Sequence, residues 1–264
     1  MSTFAAFSAL VLVWSLACYA GKECSSVKGT NKSCPPVKQA SCGGSLDVAK
    51  AAARLEKIGY SKEDIAALPA SAILASAGNG YPVGFADLKA GQTVVDLGCG
   101  SGIDCLLAAT LVGSGGHVIG VDKSPERIAA AKENKRKTHL TNVEFREGLL
   151  EKLPLEGESV DVAISNCVPP VMRGKDVALR EAFRVLKPGG RLVTTTGLVN
   201  DDAPAEALSP EGDWGARMGL PPLRQKDYFA KLRAAGFAKV EIAAKSSTPN
   251  PHKSKLVVVA TKGE

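Results

Sequence analysis

Residues 94–104 read VVDLGCGSGID, a short apolar run followed by three alternating glycines and a second acidic residue. The apolar run predicts a buried strand, and the glycines predict a tight turn after it. The continuation GIDCLLAATLVG is a mostly apolar stretch long enough to predict a helix. A strand that enters a helix through a glycine-rich loop is typical of the first unit of a doubly wound α/β fold.

The same alternation continues on the carboxyl side of this stretch. Strands are predicted at residues 93–97, 117–122, 143–147, 159–166 and 191–196, with helices between most of them. Ser124 and Pro125 predict the start of one helix, and Pro188 with two glycines predicts the end of another. KVEIAAK and KLVVVATK close the chain around a short turn, which requires one strand to be antiparallel. We therefore expect an α/β fold with a Rossmann-like, doubly wound, seven-stranded sheet and one antiparallel strand.

The remainder of the chain predicts three segments. Residues 4–20 are uncharged and mostly apolar, as in a signal-peptide core or a weak anchor, but they lack a positive n-region. Residues 21–45 are polar and aperiodic, which predicts a flexible arm that contains cysteine and lysine. Residues 46–264 are expected to form the catalytic domain, with helices over 46–58 and from Ser61, a loop at 78–82, and a lid within 197–224.

Composition excludes several classes of protein. Half of the formal net charge of +6 lies within residues 1–45, the rest of the chain is nearly balanced, and aromatic residues make up only 5% of the chain, so no nucleic-acid groove is predicted. Seven irregularly spaced cysteines without a Cys-x-x-Cys pair indicate neither a disulfide framework nor structural zinc. The body cysteines are expected to be reduced thiols.

The glycine loop and two acidic residues predict the cofactor. The dinucleotide pattern G-x-G-x-x-G fails because its third glycine would fall at Ile103. Asp96 and Asp122 each stand at the end of a predicted strand, where ligands bind in a doubly wound sheet. One carboxylate can accept hydrogen bonds from ribose hydroxyls, and the other can meet a cationic amino group. Two acids would repel a pyrophosphate, so S-adenosylmethionine fits better.

With REGLLEKLPLEGESVDV and LREAFRVLKPGGRL, this loop resembles the class I S-adenosylmethionine-dependent methyltransferases over residues 88–260. In that family the segment from Glu147 to Leu149 would border the adenine. The resemblance implies that the cofactor contacts Asp96, Gly98, Gly100, Ser101, Gly102, Asp122, Lys123, Gly148, Leu149 and Asn166.

The residue after the fourth predicted strand is a cysteine, in the stretch ISNCVPP at residues 164–170. Cys167 is therefore expected to face the methyl group to be transferred. The Asp/Asn-Pro-Pro-aromatic motif of base-amine methyltransferases is absent. The histidines at 117, 139 and 252 are predicted to lie away from the site. An acceptor with a ready lone pair would need no general base.

IGYSKEDIAALP, GNGYPVGFADLKAGQTVVDLGCGSGIDC, VDVAISNCV and LREAFRVLKPGGRL together resemble arsenite methyltransferases over roughly residues 42–242. The resemblance implies that Cys167 is a catalytic thiol that binds As(III), a soft thiophilic centre, with Cys34 and Cys42 as further ligands. Asn79 and the stretch around Met218 replace two family cysteines. Cys99 and Cys105 are expected to be packing residues.

Three functions stay open at this point. The first is methylation of thiol-bound arsenite or of a methylated arsenical. The second is methylation of another small molecule, a thiol or a lipid-like carbon, which the two missing cysteines favour. The third is non-catalytic binding of S-adenosylmethionine or a metalloid. We expect a cytoplasmic monomer that acts on a small molecule, uses glutathione or another thiol reductant, and touches a membrane only through residues 4–20.

Overall fold

Seven strands form one sheet in the computed structural model of the chain, which describes residues 48–168, 172–208 and 221–264. All described residues belong to one unit that spans Gly44–Glu264. The strands are β1 (Thr93–Leu97), β2 (His117–Asp122), β3 (Val143–Glu147), β4 (Val160–Asn166), β5 (Leu186–Val199), β6 (Lys239–Ser247) and β7 (Lys253–Thr261).

The strand order is β3-β2-β1-β4-β5-β7-β6. The first five strands are mutually parallel, and β7 pairs antiparallel with both β5 and β6. This confirms the predicted doubly wound sheet with one reversed strand. Strand β1 lies between β2 and β4, so the connections from β1 and from β4 leave on opposite sides of the sheet. A crevice opens at the carboxyl ends of strands at such a switch point.

Seven α-helices accompany the sheet in the described part of the chain. They are α1 (Val48–Lys57), α2 (Lys62–Ala66), α3 (Ala70–Ala75), α4 (Ile103–Val112), α5 (Pro125–Arg136), α6 (Lys175–Val185) and α7 (Gln225–Ala234). The Ser61 hydroxyl and the Asp64 carboxylate form the predicted capping box at α2. The Ser124 hydroxyl accepts from the Arg127 N–H and caps α5, as expected.

Each face of the sheet has its own apolar core. Val94 packs with α4 and with the helices before β1, whereas Val95 packs with α6 and α7 on the opposite face. Successive side chains of a strand point to opposite faces, so a short strand buried on both sides must be apolar throughout. Val94, Val95 and Leu97 of TVVDL meet this requirement, whereas Asp96 places one acidic side chain, 2% exposed, at the penultimate position.

The segment before β1 is fixed to the sheet through polar contacts. The Arg54 guanidinium on α1 donates to the carbonyl oxygens of Ser76 and Gly78, the latter at 3.3 Å. On the other side, the Arg191 Nε–H of β5 donates to the Ala86 carbonyl at 2.9 Å. Residues 76–86 are thus anchored to helix α1 at one end and to strand β5 at the other.

Several predicted boundaries were wrong. The helix before β5 ends at Val185, not at Pro188, because Leu186 already pairs with Val160 and begins a longer strand. The helix predicted from Ser61 begins there as expected, and a further short helix, α3, follows after Pro69. Strand β5 extends to Val199, and a 3-10 turn forms at Ala205–Leu208, so the loop expected from 197 begins later.

The lid assignment for residues 209–220, the arm and residues 1–20 fall outside the described residues. None of the helices in the described ranges is long and apolar enough to cross a bilayer.

Gly120 tests how closely β2 packs against its neighbours. A Cβ at this position would lie 2.6 Å from Phe145 and 2.8 Å from the Cys105 sulfur. We expect Gly120→Ala to lower the free energy of unfolding by about 2 kcal/mol through overpacking. Gly115→Ala is the matched control, since its Cβ would meet nothing within 4 Å, and its effect should stay within about 0.5 kcal/mol. Urea unfolding measures both; equal stabilities would contradict the packing described.

Candidate active site

A cleft of about 270 Å³ lies at the carboxyl ends of β1 and β4, where the strand order reverses. It is lined by residues 75–79, the end of β1 with the glycine loop and the start of α4, Arg127 of α5, residues 166–168 after β4, residues 197–198 of β5, and residues 221–223. The volume lies near the lower end of the usual range of small-molecule sites, about 300 Å³. Of the predicted site residues, Asp96, Gly98, Gly100, Ser101, Asn166 and Cys167 line this cleft.

The glycine loop has a backbone that other residues rarely adopt. Gly98, Gly100 and Gly102 all have positive φ, at +82°, +53° and +88°. Two of them also lack room for a side chain, because a Cβ would come within 2.5 Å of Val168 at Gly98 and 2.8 Å of Phe145 at Gly102. Glycine is therefore required at these positions both by conformation and by close approach. The loop holds the backbone against the base of the cleft.

Asp122 fixes the loop from the neighbouring strand. Its two carboxylate oxygens accept hydrogen bonds from the Gly100 N–H at 2.9 Å and the Ser124 N–H at 3.0 Å. Each oxygen retains a further lone pair, so the carboxylate can still accept from ribose hydroxyls. Asp122 itself is outside the cleft lining, directly behind Gly100.

Asp104 is a site residue that the sequence analysis missed. It lies in the first turn of α4, is 3% exposed and lines the cleft beside Asp96. The Tyr60 hydroxyl donates to its Oδ1 at 2.8 Å, and the Asn166 amide donates to its Oδ2 at 3.1 Å. The signal in the sequence was a lone acidic residue within an otherwise apolar helix.

Burial shifts the titration of both carboxylates. It raises the pKa of Asp104 to about 6, against opposing hydrogen bonds from Tyr60 and Asn166. Burial, and next the Asp104 charge, raises the pKa of Asp96 well above its ordinary range. Among the described residues, no ion pair involves either carboxylate, although the guanidinium-bearing side chain of Arg127 also lines the cleft.

Asn166 makes most of its contacts within the protein. Its carbonyl oxygen accepts from the Asn79 N–H at 2.8 Å and from the Thr195 hydroxyl at 2.8 Å. Its NH₂ group donates to the Gly80 carbonyl at 2.7 Å as well as to Asp104. The predicted cofactor contact of Asn166 stays a prediction, because the amide already joins the segment before β1 to the end of β4.

Cys167 turns the chain away from the sheet. It has a φ of +72°, a conformation that is uncommon for residues with a side chain, and its N–H donates to the Thr195 carbonyl at 2.8 Å. The residue is half-buried and lines the cleft together with Asn79, Val168 and Leu198. Tyr228 of α7 lies behind Cys167. Burial raises the pKa of the Tyr228 phenol, and the negative charge of a Cys167 thiolate raises it further. The position fits the predicted role on the acceptor side of the cleft.

Cys99 belongs to the glycine loop and Cys105 to α4, and both side chains lie in the apolar core beneath the loop. Both are buried, and the Cys105 thiol donates to Asp96 Oδ2 at 3.3 Å. Burial and the neighbouring Cys99 raise the pKa of Cys105. A thiol held in its neutral form is a poor nucleophile. This agrees with their expected role in packing, although Cys99 borders the cleft.

Other predicted residues lie elsewhere. Gly148 and Leu149 follow β3 and lie outside the cleft lining, as does the exposed Lys123, although the Gly148 N–H donates to the Asp122 carbonyl. Their cofactor contacts stay predictions, as does the adenine-bordering role of residues 147–149. Cys34, Cys42 and Met218 lie outside the described residues. His117, His139 and His252 are all described, and none of them lines the cleft.

The cleft fits a cofactor that carries positive charge. Buried carboxylates are normally compensated by a cation or by hydrogen-bond donors. Asp96 has only a thiol donor at 3.3 Å, and Asp104 has two neutral donors. The ammonium and sulfonium groups of S-adenosylmethionine would supply the missing positive charge. Asp96, Gly98, Gly100, Ser101 and Asp104 are the cleft residues that would contact it.

The raised pKa of Asp104 predicts a pH-dependent stability. The folded protein favours the protonated form, so this group stabilises the fold below its ordinary pKa of 3.8, and the contribution is lost as the pH rises through about 6. Asp104→Asn is neutral at every pH. Relative to wild type, its free energy of unfolding should therefore increase by about 3 kcal/mol between acidic and neutral pH.

Urea unfolding of the ligand-free protein at several pH values measures this difference. Tyr60→Phe is the matched control, because it removes a donor to Asp104 but keeps the carboxylate and its ionisation. Because the Tyr60 hydrogen bond lowers the pKa of Asp104, its profile should remain pH-dependent, with the loss of stability moved to higher pH than in wild type. Parallel profiles for wild type and Asp104→Asn would show that Asp104 does not titrate in this range.

Comparison with known proteins agrees with this geometry. The family described as "Methyltransferase domain" matches residues 88–219, half of the chain. An arsenite methyltransferase from Halobacterium salinarum is 41% identical over 207 residues, which are 78% of this chain and 52% of that protein. One from Aquipseudomonas alcaligenes is 46% identical over 109 residues, 39% of this chain and 32% of that protein.

The chain thus spans about half the length of the first of these relatives. Among solved structures, an arsenic(III) S-adenosylmethionine methyltransferase from Chlamydomonas reinhardtii has a TM-score of 0.60 at 27% identity, covering 82% of this chain and 73% of that one. These findings confirm the resemblance to S-adenosylmethionine-dependent methyltransferases that the sequence motifs indicated. The chain belongs to the methyltransferase-domain family.

Proposed function

We propose that this chain is an S-adenosylmethionine-dependent methyltransferase whose acceptor is a trivalent arsenical bound by thiolates, either arsenite or a methylated arsenical. One observation carries the proposal: Cys167 lines the cleft at the end of β4, next to the glycine loop and the two buried carboxylates. The relatives named as arsenite methyltransferases support the same acceptor. When bound, S-adenosylmethionine supplies an electrophilic methyl group on a positively charged sulfur.

Cys167 provides a soft ligand for the arsenical. Trivalent arsenic exchanges oxygen ligands for thiolates, and each As–OH that a thiol replaces releases one water molecule. The thiol proton leaves with that water, so no protein base has to accept it. An arsenic atom held in this way keeps a lone pair for the methyl group.

Positioning then accounts for most of the catalysis. The Cys167 N–H donates a hydrogen bond to the Thr195 carbonyl, and this bond holds Cys167 in a backbone conformation that few residues adopt. The Asn166 side-chain amide, which accepts from the Thr195 hydroxyl, fixes the end of the strand beside it. A rigidly held acceptor reduces the entropic cost of reaching an in-line geometry. No histidine lines the described part of the cleft, in keeping with an acceptor that needs no general base.

Further sulfur ligands must come from outside the described part of the cleft. Asn79 lines the cleft where a thiol would give arsenic a second ligand, and the only other cysteine in its lining, Cys99, is buried with a raised pKa. We infer that Cys34, Cys42 or small thiols such as glutathione complete the coordination. We also infer a cytoplasmic monomer, since S-adenosylmethionine is made in the cytosol.

A second candidate is methyl transfer to another small molecule, a thiol or a lipid-like carbon. The observation that favours it is the lining itself, in which Asn79, Val168 and Leu198 border Cys167 and offer apolar surface and an amide in place of further thiols. Non-catalytic binding of the cofactor or a metalloid is the third candidate, and the same assay distinguishes all three.

Arsenic speciation on the purified full-length protein tests the proposal. The protein is incubated with S-adenosylmethionine, glutathione and either arsenite or methylarsonous acid. Wild type should form methylated products, and Cys167→Ser should lower the rate by at least about 100-fold, since a hydroxyl replaces the thiolate ligand. The double variant Cys34→Ser/Cys42→Ser shows whether the arm contributes ligands.

Cys105→Ala is the matched control, because it also removes one thiol, but a fully buried one on α4. Because the Cys105 thiol donates to Asp96, this variant can lower the affinity for the cofactor, but at saturating S-adenosylmethionine it should still methylate arsenicals. Cofactor binding without methylation of either arsenical would reject the first candidate. Transfer to an organic acceptor would then support the second candidate, and transfer to none would support the third.

A further inference from the structure

Asp104 has an arrangement that methyl transfer to Cys167-bound substrate does not by itself require. It is buried in an apolar helix, yet its carboxylate borders the cleft and accepts hydrogen bonds from Tyr60 and Asn166. Burying a carboxylate is costly unless a charge or several donors compensate it. Two neutral donors compensate it only in part, as the raised pKa of about 6 also indicates.

Asp104 lies between the cofactor side and the acceptor side of the cleft. Asp96, at the end of β1, is close enough for the two carboxylates to raise each other's energy when both are ionised. On its other side, Asp104 is hydrogen-bonded to Asn166, which directly precedes Cys167. The carboxylate therefore lies between the residue suited to the cofactor's ammonium group and the strand end that carries the acceptor thiol.

We propose that Asp96 and Asp104 form an anionic pair that recognises the positive charge of the cofactor, so that the cleft distinguishes S-adenosylmethionine from S-adenosylhomocysteine by charge. The inference rests on the proposed cofactor but not on the identity of the methyl acceptor. We assign the sulfonium to Asp104, because its carboxylate is hydrogen-bonded to Asn166, which directly precedes the acceptor thiol; Asp104 is therefore the specificity-determining member of the pair.

The charge change in the reaction gives the pair a function. When the methyl group moves to the acceptor, the electrons of the broken C–S bond stay on sulfur, so the sulfonium becomes a neutral thioether. The pair then loses one of its two counter-charges. Unit charges about 5 Å apart in a protein interior interact strongly enough to change affinity by at least about tenfold. The affinity of the site for S-adenosylhomocysteine should accordingly be lower than its affinity for S-adenosylmethionine.

Calorimetric binding of three ligands to the full chain, without an arsenical, tests the proposal. The ligands are S-adenosylmethionine, S-adenosylhomocysteine and sinefungin, which has an amine in place of the methylsulfonium and keeps the positive charge. At about pH 8, above the pKa of about 6 that burial gives Asp104, wild type should bind the two cationic ligands at least about tenfold more tightly than the neutral one.

Asp104→Asn should lose most of this preference while binding S-adenosylhomocysteine about as well as wild type. Tyr60→Phe is the matched control: it disturbs the same hydrogen-bond network but keeps the charge, and its stacking against Tyr81 at 4.4 Å can persist. Its ligand preference should equal that of wild type. Equal weakening of all three ligands in Asp104→Asn, or an unchanged preference, would overturn the proposal.

A measurement on wild type alone covers the case in which Asp104→Asn does not fold. The titratable groups that face Asp104 are Tyr60, Tyr81 and Asp96, and those that face Asp96 are Tyr60, Asp122, Cys99 and Cys105. Arg127, which stays protonated throughout this pH range, lines the same cleft. Of these, Asp104, whose pKa burial raises to about 6, should lose its proton when a cation binds near that pH.

Calorimetry in two buffers of different ionisation enthalpy should then show proton release with S-adenosylmethionine but not with S-adenosylhomocysteine. Equal proton release with both ligands would overturn the inference. Failure of wild type to bind S-adenosylmethionine at all would reject the proposed function itself, and the inference with it.

Discussion

The side-chain amide of Asn166 is the contact on which the arrangement of the site depends. One amide has two donors and an acceptor oxygen with two lone pairs, and here both ends are engaged, with three different parts of the chain. The oxygen accepts from Asn79 and Thr195, and the NH₂ group donates to Gly80 and Asp104. The segment before β1, strand β5 and helix α4 are thereby fixed to the end of β4, where the acceptor side of the cleft begins.

The cost of this arrangement is electrostatic. Asp96, Asp104 and Asp122 are gathered at one edge of the sheet, and none of them forms an ion pair among the described residues. A protein stabilises such a cluster with backbone and neutral donors, as Asp122 does with two N–H groups, or leaves part of the compensation to a ligand. The unpaired carboxylates therefore distinguish a binding site from a structural cluster of hydrogen bonds.

The fold could be predicted from the sequence because its signals are local. The strands TVVDL and HVIGVD are short, apolar and bounded by turn residues, and their predicted limits agree with the structure. The boundary at Leu186 could not be predicted, since Pro188 and two glycines resemble a helix end, whereas pairing with Val160 extends the strand through them. Tertiary pairing overrides local preference in such cases.

The site was predictable only in part for a related reason. Asp96, the glycine loop and Cys167 follow strands directly, so the topology alone brings them to one edge. Tyr60 and Asp104 are 44 residues apart, and nothing local indicates that they meet at 2.8 Å. Asn166 was expected to contact the cofactor, but its partners come from segments 86 residues earlier and 29 residues later. Networks between distant segments leave no periodic trace in the sequence.

The position of β7 between β5 and β6 also constrains how the chain folds during synthesis. Strand β6 has no hydrogen-bonded neighbour in the sheet other than β7, and β5 lacks one partner until the ribosome has released residues up to Thr261. Pairing of β5 with β7 joins positions about 60 residues apart, which makes it a slow, late step. Until then the edge of β5 is an open template for other chains. The nascent protein thus depends on protection from aggregation until the last strand of the sheet is in place.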